Sequence, residues 1–297
     1  MPSLLRLGFV CLLLGSTFSA IAGAGQPRQR TFKDAEEAAN ALIAAAANED
    51  DAALNAIFGA KASALLTSGD AFQDKAQRKE FSKLAAQSHR LEHDAMDANR
   101  MILTIGDEQW PFPVPIVRSG GVWIYDMRLG EKTVQARRIG ADELDAIEIC
   151  AGFVAAQEEY ARRHGALGYA RRLLSSPGKD DGLYSEAHPL VPRIFAESAV
   201  DELGKSRPRQ YHGYYFRLLT AQGPAAVGGA HDYLVRDLLL GGFALVAWPV
   251  QYGVTGVHTF IVNQDGLVYE RNLGRPESPL LAPVTEFNPD SDWQPVE

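Results

Sequence analysis

Apolar residues recur at intervals of three and four in two neighbouring stretches near the start of the chain. Residues with this spacing lie on one face of an α-helix. Segment 31–34 has the spacing of a capping box before the first stretch, and Gly59 ends the second. The pattern predicts a helical hairpin whose apolar faces are formed by Ala35, Ala38, Ala39, Leu42, Ile43 and Ala46, then by Leu54, Ile57 and Phe58.

Extended segments follow a weaker helical pattern at 73–87. Residues 101–105, 112–117 and 122–127 are rich in β-branched and aromatic side chains, which favour strands. Residues 119–121, Ser-Gly-Gly, supply a turn between the last two segments. The pattern predicts an antiparallel meander.

Three prolines at alternate positions interrupt this meander: Pro111, Pro113 and Pro115. Proline has no amide hydrogen to donate, so a strand that contains all three fits only at the edge of a sheet. An irregular proline-rich loop is the alternative interpretation.

The second half of the chain starts with a long helical pattern. The charged segment 130–140 is predicted to be a linker, and Asp142 is predicted to cap a helix that ends at Gly165. The predicted apolar stripe of this helix consists of Leu144, Ile147, Cys150, Ala151 and Val154. A short helix at 193–203 and strands at 214–219, 243–248, 258–262 and 267–270 are predicted to follow.

These elements indicate the α+β class and two soluble domains. The first, at 31–130, places a helical hairpin before a meander that ends in Gly121, Trp123 and Tyr125, and it resembles the cone-shaped α+β proteins related to nuclear transport factor two. The second, at 141–274, places a long helix before an antiparallel sheet and resembles the soluble domains of pilins and pseudopilins. Residues 275–297 are predicted to be a C-terminal tail.

Short motifs spread over both halves give a more specific resemblance. They are Trp110-Pro111-Phe112-Pro113, Thr220-Ala221-Gln222-Gly223, Ala247-Trp248-Pro249 and Phe260-Ile261-Val262-Asn263. On these motifs the chain is similar to DUF2950, a family of exported bacterial proteins of unknown function. The resemblance implies export but does not imply any biochemical activity.

The first 22 residues have the pattern of an export signal. Arg6 precedes an apolar run, and Ala20 and Ala22 are the small residues that a signal peptidase requires before a cut at Gly23; a cut after Ala24 fits as well. The run is shorter than the about 20 apolar residues of a membrane-spanning helix. We therefore expect a signal peptide at 1–22, a periplasmic or secreted mature chain and no integral membrane span in it, with a retained membrane anchor as the alternative.

Charge and cysteine content narrow the function classes. The net charge of −8 disfavours nucleic acid and anionic membranes as partners. Cys11 leaves with the signal, so Cys150 has no partner for an intrachain disulfide. Its place on an apolar stripe is typical of a buried core thiol.

The sequence contains no motif that assigns a catalytic residue or a cofactor. His89 and His93 have the spacing of metal ligands on a helix, but no third ligand accompanies them, so no metal site is predicted. Aromatic and imidazole side chains concentrate in the second half and suit a binding surface. The candidate ligand-binding residues are Trp110, Tyr214, His231, Trp248 and His258, although strands also favour aromatic residues for packing alone.

The function predicted from these features is a non-catalytic binding or assembly module of the cell envelope, with an envelope protein as partner. The alternative is a periplasmic enzyme or small-ligand binder that uses a pocket in the first domain, with Trp110, His89 or Tyr125 near its mouth.

Overall fold

The predicted α+β class is confirmed by a computed structural model, which describes residues 29–59, 62–67, 71–165, 168–199, 209–275 and 284–296. The predicted signal peptide and both of its cleavage positions lie outside the described residues.

The first half packs four helices against one antiparallel sheet. The predicted helical hairpin is confirmed, and the side chain of Asp34 caps its first helix by accepting from the amide of Glu37. The sheet order is β1-β2-β4-β5, and β3 also pairs with β2. The elements are α1 (Ala35–Ala47), α2 (Asp51–Phe58), α3 (Ala62–Leu66), α4 (Ala71–Gln87), β1 (His89–His93), β2 (Arg100–Ile105), β3 (Trp110–Pro111), β4 (Ile116–Ser119) and β5 (Val122–Tyr125).

The proline-rich stretch proves to be an interrupted strand. Pro111 ends β3, and residues 112–115 separate it from β4, although both strands pair with the same side of β2. Because proline cannot donate to a ladder, the pairing stops across Pro113 and Pro115. The edge strand predicted at 112–117 is therefore wrong: residues 112–115 form no strand, and 116–117 belong to β4, which lies between β2 and β5.

A single long helix, α5 (Met127–His164), runs from the first half into the second. The predicted linker at 130–140 is wrong, because this charged segment continues the helix. The side chain of Asp126 caps α5 by accepting from the amide of Arg128, so Asp142 is an interior helical residue and the prediction that it caps the helix is also wrong. Most of the segment consists of good helix formers such as Glu, Lys, Gln, Ala and Arg, which explains the continuity.

The buried face of α5 differs from the predicted apolar stripe. Leu144 and Ala151 are exposed, whereas Cys150 and Val154 are buried as predicted. The face that packs on the second half contains Asp142, Ala146, Cys150, Phe153, Gln157 and Tyr160. Asp142 and Gln157 are buried on this face because their side chains make hydrogen bonds there, so side-chain hydrophobicity alone does not decide which face is buried.

The second half contains a short helix and a five-stranded antiparallel sheet of order β14-β13-β12-β11-β6. Within the predicted tail, β14 pairs with β13, and Phe287 and Trp293 are buried, so these residues belong to the second half. The elements are α6 (Arg193–Glu197), β6 (Tyr214–Leu219), β7 (Ala221–Gln222), β8 (His231–Asp232), β9 (Leu234–Val235), β10 (Leu238–Leu239), β11 (Ala244–Pro249), β12 (Thr259–Asn263), β13 (Tyr269–Arg271) and β14 (Gln294–Pro295).

Strand β11 of the second sheet, which pairs with β12 and β6, is buried on both faces. Leu245 and Ala247 of β11 face the core that includes α5, and Val246 and Trp248 face a second core that Phe287 and Trp293 cover. This alternation follows from the period of two along a strand. Within the described part of the chain, no helix has both the length and the apolar character needed to cross a bilayer.

Candidate functional site

Two of the residues predicted to bind a ligand lie together at the edge of the core that includes α5. Tyr214 is fully buried, and its hydroxyl donates to the carbonyl oxygen of His258 at 3.0 Å. The imidazole of His258 lies 3.2 Å from Glu143 Oε1, which also accepts from the amides of Val257 and His258. These contacts attach the 257–258 segment to α5.

The other three predicted residues lie apart from this pair. Trp248 is buried in the core on the far face of the sheet. His231 is exposed, and its ring nitrogens lie 3.1 Å from the carbonyl of Gly229 and 3.4 Å from that of Gly241. Trp110 is 55% exposed in the first half, where it lines a depression of about 360 Å³. The five residues therefore do not form one site, and a binding role for each stays a prediction.

The residues that the alternative function requires do not line the apolar cavity of the first half. This cavity between α1, α2 and α4 measures about 130 Å³. Tyr125 is buried in the first core, where its hydroxyl donates to the carbonyl of Ala38, and burial raises the pKa of that hydroxyl above its usual value. His89 and His93 lie on β1, and no three His, Cys, Asp or Glu side chains among the described residues come together to hold a metal ion.

A larger cavity, of about 300 Å³, lies beside α5 in the second half, and we call it the α5 groove. One wall is a single face of α5, since positions 145, 148, 149, 152 and 153 follow helical spacing. The opposite wall comes from 190–195 and 211–212. The lining residues are Asp145, Glu148, Ile149, Gly152, Phe153, Leu190, Val191, Pro192, Phe195, Tyr211 and His212.

A carboxylate and an imidazole meet at the polar end of the α5 groove. His212 Nδ1 lies 2.6 Å from Asp145 Oδ2, and both side chains are partly exposed. The backbone of His212 has a φ of 48°. This is a left-handed conformation, which costs free energy for any residue other than glycine. Gly213 follows with φ of 72°, so the chain turns sharply here and directs the imidazole towards α5.

Aromatic rings form much of the remaining lining. The Tyr211 ring lies 4.4 Å from the His212 ring in an edge-to-face arrangement, and Phe195 lies 5.9 Å from Tyr211. Phe153 is buried at the base. The α5 groove thus combines aromatic surface with two carboxylates, Asp145 and Glu148.

Asp142 lies one turn before the α5 groove and is almost fully buried. Its Oδ1 accepts from Gln73 Nε2 of α4 at 2.9 Å, and its Oδ2 has no hydrogen-bond partner among the described residues. Burial raises the pKa of Asp142 to about 6, although the hydrogen bond from Gln73 acts in the opposite direction. A side chain at Gly213 would collide with Asp142 Oδ2, which accounts for the glycine next to His212. Asp142 thus connects α4 of the first half to the turn that positions the imidazole.

The comparison with protein families gives one match, to the family described as a protein of unknown function, DUF2950, over residues 29–296. The chain belongs to the DUF2950 family. The match covers both halves and α5 between them, so this DUF2950 protein carries the family's sequence pattern over nearly its whole described length.

No curated protein and no solved structure matches the DUF2950 chain. The cone-like and pilin-like resemblances therefore rest on the sequence pattern alone.

Sequence reasoning missed the carboxylates of the α5 groove. Tyr211 and His212 belong to the aromatic and imidazole-rich stretch of the sequence, but Asp145 and Glu148 sit in a charged helix with no distinguishing motif. Asp145 and His212 are 67 positions apart, and only the tertiary fold brings them together. The sharp turn at 212–213 was the local signal, since a glycine after a polar residue often marks a left-handed turn.

Proposed function

We propose that this DUF2950 protein is exported and acts in the cell envelope as a binding module that holds a small ligand in the α5 groove. The export signal predicted from residues 1–22 supports the location. The α5 groove supports the binding role, because it joins an apolar floor to a few polar groups at one end, as small-molecule sites do.

The single observation that carries this proposal is the Asp145–His212 pair at the mouth of an apolar cavity. The pair is held by a left-handed residue at 212, and strained backbone of this kind clusters at functional sites. The α5 groove is too small to hold part of a folded protein. An envelope protein as a further partner therefore stays a prediction from the sequence.

The α5 groove can be filled without disturbing the fold, because Gly152 lies in its wall. A Cβ atom at Gly152 would meet no atom within 4 Å, and the residue lies within α5. In Gly152→Trp the indole should occupy the cavity and exclude the ligand. Gly140→Trp is the matched control, since Gly140 also lies on α5, has equal space and does not line the α5 groove.

The test is native mass spectrometry of the protein isolated from the periplasm of its own cells. A small molecule should be retained by the wild-type protein and by Gly140→Trp, and it should be lost from Gly152→Trp. The same spectra give the N-terminus, which should be Gly23 or Gly25 if the signal is cut as expected. Equal retention by both variants would sink the binding role of the α5 groove, and an uncut chain would sink the predicted cleavage.

A further inference from the structure

We propose that the α5 groove selects a small organic ammonium ion, that is, an apolar body that carries one positively charged nitrogen. This inference rests on the proposed function, since it names the ligand class of the same cavity.

The charges that line the α5 groove favour a cation. Asp145 and Glu148 lie on the same face of α5, and neither lysine nor arginine belongs to the lining formed by the described residues. Glu148 is exposed and has no ion-pair partner in the described part of the chain. Opposite charges attract at such a mouth, whereas a carboxylate ligand would meet two like charges.

Among the described residues, the arginine next to the lining in sequence does not change this balance. Arg193 follows Pro192 at the far wall, but its guanidinium lies 2.9 Å from Glu186 and 2.7 Å from Glu197. Those two carboxylates already compensate its charge. The negative character of the α5 groove therefore comes mainly from Glu148, because Asp145 is already engaged by His212.

The aromatic lining favours an organic cation over a hydrated metal ion. Phe153, Phe195 and Tyr211 contribute ring surface to the same cavity, and a ring face attracts an ammonium group through its quadrupole. Metal ions instead need several oxygen or nitrogen ligands, and the described residues provide no such group of three. Carboxylates beside aromatic rings are the chemistry that recognises amines and quaternary ammonium groups.

The size of the α5 groove limits the body of the ligand. A volume of about 300 Å³ lies at the lower end of the range for small-molecule sites. It accommodates one ring or a short branched chain with its ammonium group. The absence of a side chain at Gly152 keeps the middle of the α5 groove open beside Ile149, so the apolar body fits there while the nitrogen reaches Glu148 and Asp145.

Three probes with the same aromatic body and different end groups test this inference by calorimetric titration of the purified full chain at low salt and pH 7.5. They are phenethylamine, 2-phenylethanol and 3-phenylpropanoate. At this pH the amine is protonated and the carboxylate ionised. We expect phenethylamine to bind about tenfold more tightly than the alcohol, and 3-phenylpropanoate to bind most weakly, from the combined ion-pair and ring contributions.

A charge-neutral variant isolates the carboxylate. Glu148→Gln should lower the affinity for phenethylamine about two- to fivefold, which is the range for a partly exposed ion pair. It should leave the affinity for 2-phenylethanol unchanged. Glu158→Gln is the matched control, because Glu158 is an exposed carboxylate about 15 Å further along α5 and does not line the α5 groove. It should leave the affinities of all three probes as in the wild type.

The outcomes separate this inference from the proposed function. If 2-phenylethanol binds as tightly as phenethylamine and Gly152→Trp abolishes both, the ammonium inference is overturned while the α5 groove remains a binding site. If Gly152→Trp binds the probes like the wild type, the α5 groove itself fails as the site. If no probe binds, the ammonium inference is overturned, and the mass spectra of the native protein and its two tryptophan variants still decide whether the α5 groove is a binding site. Retention of a peptide in place of an amine by the protein from its native envelope also overturns the inference.

Discussion

At the scale of single residues, the most unusual feature is the burial of an ionisable carboxyl group, that of Asp142. Its carboxyl group faces Gln73 across the junction of the two halves, with Arg138, Asp145 and His212 as its nearest charged or titratable neighbours. A buried carboxyl group keeps its proton to higher pH than the same group in the unfolded chain. The stability of this protein should therefore depend on pH through Asp142.

The direction of this pH dependence follows from the pKa values of Asp142 in the folded and the unfolded state. The folded value of Asp142 is about 6 and the ordinary value is 3.8. Well below pH 4 the carboxyl group is protonated in both the folded and the unfolded state. Between pH 4 and 6 it ionises in the unfolded state first, which lowers the free energy of unfolding by about 3 kcal/mol. This loss of stability persists above pH 6. Asp142→Asn removes this loss, so its stability relative to wild type should rise by about that amount from pH 4 to pH 7.5.

Urea unfolding at pH 4 and at pH 7.5 measures this difference, with Asp107→Asn as a control at an exposed position. The control should follow the wild type at both pH values. A difference between Asp142→Asn and wild type that is the same at both pH values would show that Asp142 does not titrate as its burial requires.

At the scale of elements, the junction between the proline-rich segment and α5 depends on one glycine. A Cβ atom at Gly130 would lie 2.8 Å from the carbonyl oxygen of Pro113 and 2.9 Å from Val114 Cα. Both are backbone atoms, so the helix would have to move away. Gly130 therefore lets α5 start in contact with the first sheet.

Gly130→Ala should destabilise the protein by about 1–3 kcal/mol, because the strain exceeds the gain in helix propensity. Gly140→Ala on the same helix should instead stabilise it by up to about 1 kcal/mol, since a Cβ atom there meets nothing within 4 Å. Thermal unfolding followed by circular dichroism distinguishes the two. A stabilising effect at both positions would mean that the contact with residues 113–114 is not tight.

Local sequence patterns predicted these elements well where the pattern itself determines them. The helical hairpin and the alternating strands follow from neighbouring residues, and 101–105 and 214–219 were predicted within a residue. The capping box predicted at 31–34 was displaced, because Asp34 itself caps α1. The linker predicted at 130–140 was wrong because the charged residues were taken as a sign of a loop, although Glu, Lys and Arg are good helix formers. The α5 groove could not be predicted, since its walls come from three separate segments.

At the scale of the whole molecule, α5 contributes to both halves. Met127 and Val134 pack in the first core, and Ala146 and Phe153 pack in the core of the second half. The Gln73–Asp142 hydrogen bond adds a direct contact between the halves. The two domains predicted from the sequence stay a prediction, but their unfolding should be coupled through this shared helix.

Leu103→Ala tests the coupling, because Leu103 is fully buried in the first core. The cavity should cost about 2–5 kcal/mol. Differential scanning calorimetry should show a single transition that moves to lower temperature as a whole. Two separate transitions, of which only one moves, would show that the halves unfold independently.

The continuity of α5 also restricts where the length of the chain can change. Its 38 residues span about 57 Å, and each inserted residue would turn everything beyond it by about 100° and shift it by about 1.5 Å. One insertion between Val134 and Ala146 would therefore rotate the second sheet out of register with Gln73. Insertions of about seven or eleven residues restore the facing to within about 20°. The length of α5 can therefore change without turning the two halves apart only in steps of about two or three turns.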